Sequence, residues 1–397
     1  MATNDIYDVV VIGGGVVGAS AAFHLKKLGC PSVALVERGQ ICTGGTAKSC
    51  AIIRSHYSVP TNTQLTLKSL EIFTNFAEYL GDGEADCGFV NSGYLILTPE
   101  GNLAEKLSAN LAMQTGVGAE TFAISRAEAQ KLHPWLALDD VAAIGHEPNS
   151  GYADPYLTTT SFVRAARRLG AVVKTDCPVT GVLTQDGRVT GIRTTVGEIH
   201  ARTVLAAIGP WTALIARALD IELPLEVSRH IVLTFKAADA YAPTLPIVKD
   251  LTTANKMYFR PSSGGVVLVG SGDHGDPVDT PDGMSENATL DFVALQSGQI
   301  ARRMPGFADA ELSASWAGPY DITPDWNPVL GPVPGLDGLH IAYGFSGHGF
   351  KLAPAVGKVL AQGALGLEQD IDSTPYRLSR FTEGELLLGA YGIGSIS

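Results

Sequence analysis

Charge is scarce in this chain of 397 residues, and most of it is acidic. Asp, Glu, Lys and Arg make up 17% of the sequence, and the net charge is −12 at pH 7. So little charge beside 45% hydrophobic residues argues against long disordered segments. It leaves ample material for a large core and for two domains. No Lys/Arg-rich run offsets the acidic balance, so neither nucleic acid nor an anionic membrane is an expected partner. The five cysteines (Cys30, Cys42, Cys50, Cys87 and Cys177) form no C-x-x-C pair and are odd in number. Buried free thiols are expected, rather than a disulfide framework or a metal site. Long apolar runs are missing too. The most apolar stretch, 203–216, is too short to span a membrane and is broken by Gly209-Pro210. A strand begins by Tyr7, so no signal peptide fits before it. A soluble, cytoplasmic protein is the expectation. Internal repeats and low-complexity linkers are absent.

What is present begins at Tyr7. The run YDVVVIGGGVVG reads as a buried parallel strand that turns abruptly into a helix. Gly13, Gly15 and Gly18 match the spacing G-x-G-x-x-G. Gly13 permits the tight turn, Gly15 lets the backbone approach a pyrophosphate, and Gly18 lets helix and strand pack closely. The helix opening at Val16 and Val17 aims free N–H groups and the positive end of its dipole at the phosphates. A second strand, 32–36, ends at Glu37, about 20 residues beyond the glycines, where a carboxylate can accept from a ribose hydroxyl. The alternative is a β-α-β unit without a ligand. The context favours an adenine dinucleotide.

Downstream, the periodicity predicts a polar, glycine-bearing segment over 39–58 and a helix over 62–80. A strand–turn–strand follows over 86–98, with Asn91-Ser92-Gly93 as the turn. Helices are predicted over 103–115, 125–133 and 158–169, a strand over 171–174 and a hairpin at Gln185-Asp186-Gly187. A buried strand covers 202–209, and strands of an antiparallel sheet cover 227–235, 256–260 and 266–270. The last elements are a strand over 339–343, a glycine-rich turn over 344–349 and a helix over 352–363. The expected fold mixes α/β and α+β: a Rossmann-like dinucleotide domain with an inserted antiparallel-sheet substrate domain. The first is assigned 1–85, 150–222 and 325–385, and the second 86–149 and 223–324. Residues 386–397 are a tail.

The second glycine turn, GFSGHGFK from Gly344 to Lys351, separates the possible dinucleotides. Two helix N-termini aimed at one extended ligand suit FAD: one for the pyrophosphate, one for the flavin edge where negative charge collects on reduction. A plain glycine-rich turn is the alternative. With GGGVVG, the Glu37 strand end, TGGTAKSCAIIRSHYS, VLAAIGPW and GFSGHGFK together, the chain resembles the D-amino-acid oxidase/sarcosine oxidase superfamily over residues 6–370. Its sarcosine oxidase and dimethylglycine-oxidizing members are the nearest in kind. The resemblance implies FAD-dependent oxidation of secondary or tertiary amines, usually amino acids. It implies that Gly13, Gly15 and Gly18 hold the pyrophosphate, Glu37 the ribose, and Arg38 the adenine side. Thr43, Gly44 and Gly45 would lie along the flavin linker, and Val179 would meet the adenine. Gly209 and Trp211 would close the nucleotide site. Gly344, Gly347, His348, Gly349, Phe350 and Lys351 would border the flavin ring.

Arg54 and Lys351 stand next to these glycines. A cation pair at a flavin in an acidic protein suggests a carboxylate substrate, gripped by Arg and met by a Lys point charge. The resemblance gives both positions that task; an ion pair with the protein or cofactor is the alternative. Tyr258 and Tyr320 resemble the family's active-site tyrosines, with buried core tyrosines as the alternative. His56 and His274 are candidate polar lining groups. Arg260 shares a strand face with Tyr258 and could meet a second acidic group, as in iminodiacetate, or sit in a structural ion pair.

Two departures matter. Monomeric family members carry a flavin-linking cysteine near the C-terminal tyrosine; 316–320 has none, so FAD is expected to be noncovalent. Their oxygen-activating lysine, in the strand after the GG turn, is also missing from 265–270. The expected reaction gives an imine that hydrolyses, with oxygen or another acceptor reoxidising the flavin. Oxidation of a primary amino acid or a 2-hydroxy acid, a flavin subunit of a heteromeric dehydrogenase, and a noncatalytic dinucleotide sensor are the competing readings.

Overall fold

In the computed structural model, residues 6–236, 241–273 and 275–394 are described. The apolar run Val9–Ile12 lies inside the strand Ile6–Ile12, buried at the centre of the first sheet. Parallel neighbours flank it on both sides, Val33–Val36 and Gly197–Ala206. A strand covered on both faces reads as continuously apolar, which is why this one is visible in the sequence. The sheet order is Val329–Pro332, Leu339–Tyr343, Gly197–Ala206, Ile6–Ile12, Val33–Val36 and Val172–Lys174. The hairpin strands Val179–Gln185 and Arg188–Thr194 extend it from Gly197–Ala206.

Helix Val16–Lys27 packs on helix Gly349–Ala364. A Cβ at Gly357 would come within 2.2 Å of Ser20 Oγ, so the crossing depends on glycine there. This contact brings the two glycine turns, at Gly13 and at Gly344, to one end of the sheet.

The second sheet runs Glu311–Ile322, Glu226–Lys236, Val266–Gly270, Tyr258–Pro261, Ile247–Asp250, Tyr94–Thr98, Ala143–Glu147 and Phe122–Ile124. All its pairings are antiparallel except Ile247–Asp250 with Tyr94–Thr98. Alternation sorts its residues. Leu95, Leu97, Val248, Phe259, Val267 and Val269 point into a core shared with Ile300 of helix Leu290–Arg303. The other face carries Tyr94, Lys249, Tyr258 and Val232 toward the first sheet. The α/β dinucleotide half with a separate, mainly antiparallel sheet matches the expected fold class.

Two local expectations fail. Residues 86–98 are not a hairpin. Only Tyr94–Thr98 is a strand, and it pairs with distant segments, while Val90 forms an isolated bridge to Tyr152. The helix expected over 62–80 is two, Pro60–Thr74 and Phe76–Leu80. Asn75 breaks it by donating its side chain back to the Glu71 carbonyl at 3.0 Å. Residues 386–394 are packed against the body, with the Leu387 N–H on Asp325 and the Tyr391 hydroxyl on His56. No described helix is long and apolar enough to cross a membrane.

Arg380 closes this region as a fully buried fork on Asp325, with N–O distances of 2.8 and 2.9 Å, and donates also to the Asn327 carbonyl. Replacing Arg380→Leu strands a buried carboxylate and should cost about 3–5 kcal/mol of stability. Urea unfolding checks this; a loss under about 1 kcal/mol, typical of an exposed pair, would contradict the buried-pair reading.

Candidate active site

A cavity of about 540 Å³ runs along the end of the first sheet and up to the face of the second. Its first wall is the glycine turn. Gly13 takes φ +107°, and any Cβ there would meet the Ala207 carbonyl at 2.4 Å. Gly18 is excluded from the cavity; its Cβ would strike the Gly13 carbonyl at 2.0 Å, so its task is close packing. Gly15, Val16 and Val17 line the opening, and a Cβ at Gly15 would face only Thr46 Oγ1, at 3.1 Å. Glu37 also lines it and accepts from the N–H groups of Gly14 and Gly39, at 2.6 and 2.9 Å.

Thr43, Gly44, Gly45, Val179, Gly209 and Trp211 continue the lining. Arg38 lies 4.3 Å over the Trp211 ring, and Asp282 clamps both, accepting from Arg38 at 3.1 Å and Trp211 Nε1 at 2.9 Å. Asp282 was not visible in the sequence reading. It sits in a polar loop far along the chain, with no periodicity to mark it.

At the far end stand two tyrosines, each seated on a glycine. Tyr258 lies against Gly270, its cross-strand partner, where a Cβ would come within 2.2 Å of the ring. Tyr320 lies against Gly347 in the same way and stacks on His230 with ring centroids 3.6 Å apart. Burial pushes both phenols up and holds His230 down at about 3, so all three are uncharged at neutral pH. Asp321, also lining the cavity, accepts from the Gly344 N–H at 2.7 Å, and burial raises its carboxyl to about 6.

A smaller cavity, about 80 Å³, opens off this end and shares Ser49, Cys50, Tyr258, Tyr320, Gly347 and Phe350 with the first. It is lined by Arg54, Lys351 and Lys249, all buried. Arg54 donates to the His56 carbonyl and lies 4.6 Å over the Tyr57 ring. Burial and the charge of Arg54 press both lysines down, Lys249 to about 7. Lys249 went unread because Ile-Val-Lys-Asp shows no alternation; the signal was a lysine on a strand flanked by apolar neighbours.

The remaining expected residues divide. Gly349 and Phe350 line the large cavity, and His348 the small one. Gly344 lines neither; its N–H instead orients Asp321. His56 is corrected from a lining group to a support. It is fully buried, its carbonyl holds Arg54, its Nε2 lies 3.2 Å from Tyr391 Oη, and burial lowers it to about 3. Arg260 lines neither cavity. It donates to the carbonyls of Cys50 and Pro261 and lies 4.3 Å over Tyr152, so it is not a cavity cation, and among the described residues it forms no ion pair. His274 lies outside the described residues. All five cysteines are buried free thiols.

The model of the family described as FAD dependent oxidoreductase matches residues 8–363. A Bos taurus "FAD-dependent oxidoreductase domain-containing protein 1" is 32% identical over 95% of this chain and 85% of its own. An Arthrobacter "sarcosine oxidase subunit beta" is 28% identical over 96% and 92%. Among solved structures, L-proline dehydrogenase from P. horikoshii superposes with a TM-score of 0.88 at 28% identity, covering 96% of this chain and 99% of its own. The chain belongs to the FAD-dependent oxidoreductase family. Within it, the protein is an oxidoreductase acting on CH–NH bonds of an amine or amino-acid-like substrate, with noncovalent FAD as its cofactor. These relatives carry different substrates in their names, so the kinship holds for the superfamily rather than for its sarcosine branch alone.

The residues present fit FAD. The Gly15 cradle is open where a Cβ would intrude, and the N-terminus of helix Val16–Lys27 faces the cavity. Acid precipitation should therefore release yellow flavin into the supernatant; flavin remaining with the pellet would show a covalent link.

Lys249 gives a second test. Its ammonium is disfavoured in the fold, at about 7 against 10.5 in its ordinary state. Below pH 7 the folded chain carries that cost in full. Between about 7 and 10.5 the unfolded chain binds the extra proton, so stability rises with pH and the cost fades. Lys249→Met should thus raise the melting temperature at pH 6 without carboxylate ligands, and raise it much less at pH 10. Equal gains at both pH values would refute the assignment.

Proposed function

We propose that this protein oxidises a carboxylate-bearing secondary or tertiary amine, an N-substituted amino acid. The observation that carries the reading is the group of buried cations lining a cavity continuous with the flavin cavity. Arg54 and Lys351 would take the substrate carboxylate, Arg54 through two parallel N–H donors and Lys351 as a point charge. The His56 carbonyl and the Tyr57 ring fix the guanidinium before substrate arrives. Tyr258 and Tyr320 would wall the amine and hold its Cα–H toward the large cavity. FAD supplies the two-electron acceptor for that C–H bond. Nearby positive charge also lowers the pKa of the substrate nitrogen, which favours the neutral amine that can release a hydride equivalent. The imine product adds water and splits to a carbonyl compound and a smaller amine.

The names of two relatives at 28% identity support the amine class, since sarcosine and proline are both secondary amino acids. For the acceptor, the strand Val266–Gly270, where the family resemblance implies an oxygen-activating lysine, carries none. We infer slow direct reaction with oxygen.

Anaerobic mixing tests the reading. Sarcosine, dimethylglycine, iminodiacetate or proline should bleach the visible flavin band, and D-alanine or lactate should not. Air should restore the colour slowly. Bleaching by lactate or D-alanine alone would overturn the amine class. In Arg54→Met, the loss of a charge-assisted fork should lower kcat/KM about 100-fold, mostly through KM.

A further inference from the structure

The third cation has no task in that reading. Lys249 sits on the strand Ile247–Asp250, interior to the second sheet, opposite Tyr258 on one side and Ile96 on the other. A strand position buried in mid-sheet ordinarily carries an apolar side chain, and a lysine there is almost never fully buried unless paired. Among the described residues no carboxylate lies within ion-pair distance of it. Asp250, its neighbour in sequence, is bound to Arg303 at 2.8 Å. The Lys249 Nζ lies over the Tyr258 ring, 5.4 Å from its centroid.

Charge accounting across the small cavity sharpens the point. Glu147 is buried and accepts from the Ser55 N–H and the Ser150 hydroxyl; burial raises its carboxyl while the charge of Arg54 opposes that rise, so it does not cancel the guanidinium. A single substrate carboxylate docked in the small cavity would answer Arg54 and Lys351 together. Lys249 is left over, and it reaches the cavity from a different wall. Arg54 follows the strand Ile52–Ile53 and Lys351 stands in the first turn of helix Gly349–Ala364, whereas Lys249 comes from the second sheet. One carboxylate docked on the first pair leaves Lys249, on the second wall, without an anionic partner.

We propose that Lys249 binds a second carboxylate, so that the preferred substrate is an amine with an acidic group on each arm, an iminodicarboxylate. The proposal rests on the reading that one carboxylate docks on Arg54 and Lys351. It moves to Lys249 the role that the sequence offered to Arg260, whose donors are committed to the Cys50 and Pro261 carbonyls.

The test uses the flavin-loaded enzyme and two unreactive probes in which sulfur replaces the amine nitrogen. Thiodiglycolate carries two carboxylates and methylthioacetate one. Each is titrated through its perturbation of the flavin absorption band. Thiodiglycolate should bind at least about tenfold more tightly, the size expected of one charge-assisted contact. In Lys249→Met this preference should fall below about threefold, whereas Lys256→Gln, at an exposed site on the neighbouring turn, should retain it. Equal affinities in the unmodified enzyme would overturn the proposal, and that comparison decides even where the variant does not fold. A preference that survives in Lys249→Met would also overturn it, including where that variant only slows reoxidation by air. Bleaching by sarcosine with equal probe affinities sinks this proposal alone. Failure of every secondary and tertiary amine to bleach the flavin sinks the function proposed above, whatever the probes show.

Discussion

Positive charge held in a buried cavity is the constraint on which the rest of this site depends. Arg54, Lys249 and Lys351 line one small space, and none of them has a carboxylate near enough to form an ion pair among the described residues. Burial of such groups is costly without partners. The protein limits the cost in different ways. Arg54 is propped by a carbonyl and an aromatic face. The lysines are driven toward their neutral forms. On the function proposed above, an acidic guest would complete the electrostatics of this site.

Shape is set by a different means, glycine against aromatic ring. Gly270 beneath Tyr258 and Gly347 beneath Tyr320 let two phenols lie flat where any side chain would displace them. The same device, a missing Cβ, keeps the Gly15 cradle open and lets Gly357 meet Ser20. The two halves of the cofactor cavity are thus brought together by close helix contact, and its substrate end is walled by rings with little freedom to move.

Much of this was legible in the sequence because it is local. A buried parallel strand, a glycine turn and a helix follow each other without interruption at Tyr7–Lys27, and the second turn repeats the grammar at Gly344–Lys351. Arg54 and Lys351 could be read because they adjoin those glycines. Lys249, Asp282 and His230 could not, because each owes its place to pairing or looping between distant segments. Arg260 shows the opposite error. Strand alternation placed it correctly beside Tyr258, but period-two logic cannot say that two backbone carbonyls and Tyr152 would claim its donors. The Asp86–Thr98 hairpin failed for the same reason: its turn chemistry was plausible, but the strand found longer-range partners.

The contact between Gly13 and Ala207 has a consequence for biosynthesis. The first glycine turn leaves the ribosome early, yet its floor is a carbonyl at position 207, and the opposing turn waits for Gly344. A nascent chain therefore displays the apolar strand Val9–Ile12 without its Gly197–Ala206 neighbour until that distant segment has been made. Non-local parallel pairing of this kind is slow and leaves sticky edges exposed. The cofactor cavity is complete only once residues as far apart in the chain as Gly13 and Phe350 have both been made.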